Sequence, residues 1–155
     1  MEANRITFVG QIGGQVLRDQ LFYDAFVYPA GPFANIEAFH DWFARLSFQN
    51  LPEAFSRDIP ELSGLSDDEP VVFTHGDLHR RNILISLPGN GPAEVVAIVD
   101  WHQSGWYPRH WEFLKAYWTS DIYGDWAKLY IPQFLEPANI DYWRAFEWIR
   151  LSCGC

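Results

Sequence analysis

Two aspartates and an asparagine, set among short apolar runs, are the residues of this sequence with the clearest chemistry. The stretch FTHGDLHRRNILIS carries Asp77 and, five residues later, Asn82, and the run VVAIVDW has Asp100 next to its end. An aspartate held in a loop can orient a hydroxyl and take its proton, while an amide and a second carboxylate can hold a magnesium ion. Magnesium prefers oxygen ligands and keeps several waters, so these two groups suffice once nucleotide phosphates complete the shell. Taken alone, Asp77 or Asn82 would be read as a loop residue capping nearby backbone amides. The three together, in this order and between β-branched runs, point to phosphoryl transfer, in which protein contributes mainly positioning and charge neutralisation.

Such residues must be held by regular elements. The runs at 71–74, 83–86 and 95–99 each read as a short buried strand. The first two should flank the loop that carries Asp77, and the third should pair nearby, with LPGNGPAE as a surface turn. Ahead of them, AGPFANIEAFHDWFARLSF predicts a turn and then a helix, with Asn35 as N-cap, Glu37 in the first turn, and Phe39, Trp42 or Phe43, and Leu46 on one face. Residues 51–70, which end in the acidic run SDDEP, read as a solvated loop. After Asp100, HQSGWYPRH reads as a loop leading to a helix in WEFLKAYW, with Trp111, Leu114 or Lys115, and Trp118 on its apolar face. Another helix is predicted over 141–151. Residues 5–28, with Gly10, Gly13 and Gly14, suit a ribbon or irregular segment. GQIGG within them lacks the spacing of a nucleotide loop, and no Gly-Lys-Ser/Thr follows.

Composition narrows the classes. A chain of 155 residues is one domain's worth, and 48% hydrophobic with 17% aromatic residues predicts a folded core. A net charge of -9 and a pI near 4.8 argue against nucleic-acid or anionic-membrane partners, which need clustered Lys and Arg. No apolar run reaches the roughly 18 residues of a spanning helix, and no leader opens the sequence, so the expected setting is cytoplasmic. Cys153 and Cys155 lie too close together to staple distant elements and read as a reduced, frayed end.

The run FTHGDLHRRNILI, followed by IVDWHQSGWYPRHWEFLKA, resembles the aminoglycoside phosphotransferase and choline kinase-like branch of the protein-kinase-like fold, most closely its uncharacterised fungal members. The matched stretch covers about residues 71–118, and GPFANIEAFHDWF looks like that group's segment ahead of the catalytic loop. The resemblance implies an α+β fold: the mostly helical C-terminal lobe of a kinase-like domain, with a small β-sheet at the catalytic loop. It implies Asp77 as catalytic base and Asn82 and Asp100 as Mg²⁺ ligands, with ATP as donor and a small-molecule hydroxyl as acceptor. His79 and Arg80 are its cofactor-binding candidates, although Arg80 and Arg81 could face either phosphate or solvent. His75 would support the loop's backbone, and Glu112 would be a structural acid at a helix start. Asp100 stands where kinases have the aspartate of Asp-Phe-Gly, with Trp101-His102 in place of Phe-Gly.

One departure accompanies the match. Kinases place a lysine and a glycine-rich strand pair in a smaller lobe, whereas the first lysine here is Lys115. The expectation is therefore a single partial domain over residues 1–155, with the N-terminal ATP-binding lobe absent. Two other readings stand beside phosphoryl transfer: a catalytically silent kinase-like binding fragment, and a metal-dependent hydrolase in which His75, Asp77, His79 and Asp100 seat a transition metal.

Overall fold

The computed structural model describes residues 6–23, 29–48, 59–87, 89 and 91–153. These form an α+β arrangement of helices with two small antiparallel sheets, compatible with a kinase-like fold. Helices α1 (Gln20–Tyr23) and α2 (Ile36–Leu46) precede four strands: β1 (Val71–Thr74), β2 (Ile83–Ser86), β3 (Glu94–Ile98) and β4 (Gly105–Pro108). Helix α3 (Trp111–Trp118), a π-type segment (Trp126–Tyr130), α4 (Ile131–Phe134) and α5 (Ile140–Cys153) complete the order.

The helices begin where side-chain chemistry allows. Asn35 caps α2 by accepting the Ala38 amide at 2.9 Å, an arrangement worth about 1 kcal/mol. Asn139 does the same for α5, accepting from Asp141 and Tyr142 at 2.9 and 3.0 Å. Between these helices lies an aromatic core. Phe39 and Phe43 stack with ring centroids 5.7 Å apart, and Trp111 meets both edge-on while also contacting Phe146 of α5. Among the described residues, no helix is long and apolar enough to cross a membrane.

The strands pair differently from expectation. β2 and β3 pair as a hairpin, with a bulge between Leu84 and Ile85, but β3 begins and ends one residue earlier than predicted. The two strands are also not buried as expected: Leu84, Ile85, Val95, Val96 and Ile98 are exposed, because the two-stranded ribbon has no layer packed over these side chains among the described residues. Val99 is drawn out of the ladder because its amide bonds the Asn82 carbonyl instead. β1 pairs with β4, Val71 opposite Pro108 and Thr74 opposite Gly105, in a stretch the sequence suggested was loop. A four-residue strand holding Gly and Pro shows no period of its own; a partner more than thirty positions away supplies its hydrogen bonds.

One further expectation holds, the ribbon-like glycine segment, and two change. Gln11 and Gln15 bridge across Gly13 and Gly14, whose φ values of 78° and 70° make this glycine run a tight turn. The acidic run is not merely solvated: Asp67 meets Nδ1 of buried His40 at 2.8 Å, and Glu69 accepts from the Tyr142 hydroxyl at 3.0 Å. Cys153 is no frayed end, since it closes α5 with its sulfur 3.6 Å from the Leu46 carbonyl. Cys155 and residues 51–58 lie outside the described residues.

Candidate active site

The loop between β1 and β2 is fixed from below before any functional side chain is considered. After Thr74 the chain turns at Gly76, whose φ of 79° is left-handed. A Cβ there would also come within 2.8 Å of the Gln103 carbonyl oxygen, which is backbone and cannot swing away. Gly76→Ala is therefore expected to destabilise the fold by about 1–3 kcal/mol or more. An unchanged denaturation midpoint would show that the turn is not built as described.

Glu112, in the first turn of α3, closes the other side. Its carboxylate accepts the His75 amide in a short bond and the Gly76 amide at 3.2 Å, so it is the structural acid anticipated at this helix start. Burial raises its pKa to about 7, against the opposing pull of these two amides. The folded value lies above the ordinary one, so Glu112's stabilising contribution is complete below about pH 4.5 and is lost as pH rises through about 7. Relative to Glu112→Gln, the wild-type chain should lose up to about 3 kcal/mol of stability across that interval, at 1.36 kcal/mol per pH unit. Parallel urea midpoints for the two proteins from pH 4.5 to 7 would contradict the assignment.

His75 ties this loop to the end of β3. Its Nδ1 accepts the Asp77 amide at 3.2 Å and its Nε2 donates to the Val99 carbonyl at 2.9 Å, an arrangement that places the ring proton on Nε2. The Trp101 ring lies against it, centroids 4.5 Å apart. With both nitrogens engaged, His75 supports backbone, as expected. It is not a ligand for the hydrolase reading, and among the described residues no three His, Cys, Asp or Glu side chains gather to hold a metal.

Asp77 and Asn82 are in direct contact. The Asn82 side-chain amide donates to the Asp77 carbonyl at 2.8 Å and to Asp77 Oδ2 at 3.1 Å. Asn82 is buried at the end of a 3₁₀ turn, Arg80–Asn82, closed by its own amide bonding the His79 carbonyl. Both contacts use the Asn82 nitrogen, and among the described residues no donor meets Asn82 Oδ1 or Asp77 Oδ1.

Asp100 joins through the backbone. Val99, immediately before it, donates to the Asn82 carbonyl at 2.9 Å while accepting from His75. Asp100 is the one non-glycine with positive φ (68°) among the described residues, a strained state that aspartate tolerates better than most. A 3₁₀ turn, Trp101–Gln103, follows, with the Trp101 indole donating to the Ile98 carbonyl at 2.7 Å. The Asp100 carboxylate is half exposed, with Oδ1 2.6 Å from His102 Nδ1. The amide oxygen of Asn82 and the carboxylate of Asp100 are hard oxygen donors, of the kind magnesium takes in preference to zinc. His79 and Arg80 line a cavity beside this loop together with Arg81.

Sequence reasoning missed the support beneath the site. Asp19 and Lys115 are fully buried and paired, with the Trp111 indole donating to Asp19 Oδ2 at 2.9 Å. Lys115 also reaches Gln103 Oε1 at 3.4 Å, and that oxygen accepts the Gln20 amide at 2.8 Å. The available signal was Lys115 on an apolar helix face, since a lysine buried there requires a carboxylate.

Searches of curated proteins and of solved structures return no match. Among protein families, the model of the phosphotransferase enzyme family (APH) matches residues 38–149, which span most of α2, both sheets, the Asp77–Asn82 pair, Asp100 and most of α5. With most of its length and its whole candidate site inside that match, the chain belongs to the phosphotransferase enzyme family.

Proposed function

We propose that the chain transfers the γ-phosphate of ATP to a hydroxyl group of a small molecule. Asp77 takes the hydroxyl proton as the acceptor oxygen bonds the γ-phosphorus and the bond from that phosphorus to the bridging oxygen of ADP breaks. Asn82 and Asp100 would hold Mg²⁺, which when bound would neutralise phosphate charge. The observation that carries the reading is the Asn82–Asp77 contact: one amide orients the base through its nitrogen and keeps its oxygen free of protein donors.

The sequence holds two lysines, Lys115 and Lys128. Lys115 is committed to Asp19 in the core, and Lys128 lies 5.5 Å over the Tyr123 ring. His79 and Arg80, in the loop next to the base, are therefore the proposed contacts to the donor's phosphates. The test follows γ-labelled ATP across a panel of hydroxyl compounds, for the chain alone and for the chain preceded by the small lobe of another family member. Transfer in either form that disappears in Asp77→Asn is the expected result. Transfer in neither, or transfer indifferent to Asp77→Asn, sinks the proposal.

A further inference from the structure

The cavity beside the catalytic loop encloses about 600 Å³, within the range of small-molecule sites. His79, Arg80 and Arg81 line it from the loop, while Asp121, Asp125 and Trp126 line it from the segment after α3. Opposite charges thus share one cavity, yet among the described residues none of these four arginine and aspartate side chains forms an ion pair. Asp121 Oδ1 caps the Tyr123 amide at 3.0 Å, which leaves its other oxygen available.

The Trp126 side of the cavity has an unusual backbone. Trp126 opens the π-type segment, a rare backbone form that recurs at functional sites, and its ring stacks on Tyr130 with centroids 5.9 Å apart.

We propose that the part of this cavity bounded by Arg81, Asp121, Asp125 and Trp126 is the acceptor pocket, with His79 and Arg80 left to the donor's phosphates, and that its occupant is a zwitterion: a hydroxyl compound bearing a carboxylate for Arg81, an ammonium group for the aspartates, and an apolar or aromatic portion. A purely cationic acceptor would meet Arg81, and a purely anionic one would meet Asp121 and Asp125. A ligand with both charges turns each repulsion into an attraction. The inference rests on the phosphotransferase reading above and adds the charge class of its substrate.

The test titrates four peptides into the whole chain by calorimetry: seryl-tyrosine, its N-acetyl form, its C-terminal amide, and the doubly capped form. The uncapped peptide should bind at least about tenfold more tightly than either singly capped form. Arg81→Gln should erase the preference for a free carboxylate alone, and Asp125→Asn the preference for a free amine alone. Because the capping comparison uses wild-type protein, a variant that fails to fold does not decide the outcome. Equal binding of all four peptides overturns the proposal, as does lack of saturation by any at millimolar concentration. So does an Arg81→Gln effect confined to Mg²⁺-ATP affinity, which would put nucleotide phosphate at the basic side. Charge-selective binding without Asp77-dependent phosphorylation would sink the phosphotransferase reading and leave the pocket. Asp77-dependent transfer indifferent to acceptor charge would do the reverse.

Discussion

Asp77→Asn is expected to lower phosphoryl transfer about a hundred- to ten-thousandfold, the range over which a positioned base acts, while leaving stability and nucleotide binding nearly unchanged. The substitution retains an oxygen for the Asn82 amide, which now donates to Asp77 Oδ2 at 3.1 Å. Asp77 also keeps its two backbone contacts, its amide to His75 Nδ1 at 3.2 Å and its carbonyl to the Asn82 amide at 2.8 Å. What it loses is the basic oxygen that accepts the acceptor's proton. Asn82→Ala should behave differently: it removes the orienting bond and one proposed metal oxygen, so Mg²⁺ dependence should shift along with rate. Equal losses in both variants, with no change in Mg²⁺ dependence for Asn82→Ala, would contradict the separate roles given to the two residues.

The second large effect lies in the core. Lys115→Met is expected to destabilise the fold by about 3–5 kcal/mol, because it leaves the Asp19 carboxylate buried without its cation. The remaining donors to Asp19, the Trp111 indole and the Leu21 amide, are neutral and cannot replace a charge. Combining it with Asp19→Asn should recover part of the loss, since both charges then leave the interior together. Urea denaturation of the single and double variants measures the difference, and a single-variant loss under about 1 kcal/mol would show that the pair is weakly coupled. The effect should also reach the site: Lys115 contacts Gln103, whose carbonyl bears on the turn at Gly76.

The residues themselves show why parts of this site were legible. Asp77, Asn82 and Asp100 lie between or at the end of apolar runs whose order and spacing survive in the sequence, while α2 follows from local period and capping, and α3 and the β2–β3 hairpin from local period. β4 was not legible because its identity comes from β1, and neither Trp106 nor Tyr107 alternates with polar neighbours. The Asp19–Lys115 pair joins positions 96 residues apart, so no local pattern records it. Asp67 looked solvated because its partner, His40, sits on an otherwise apolar helix face. Each miss is a long-range polar contact, for which a single sequence offers composition but no pairing.

Val99 is held on both sides, its amide by Asn82 and its carbonyl by His75, so that β3 is pinned at the end nearest the site. The connection joining β2 to β3 lies at the opposite end of the hairpin. Doubling the length of a flexible loop costs only about 0.6 kcal/mol in closure entropy, and none of that cost need be transmitted past the two Val99 bonds. Insertions in that connection are therefore neutral ground for a tag or a reporter, whereas a one-residue slip of β3 would reverse its faces and break both Val99 bonds that tie the chain before Asp100 to the Asp77 loop.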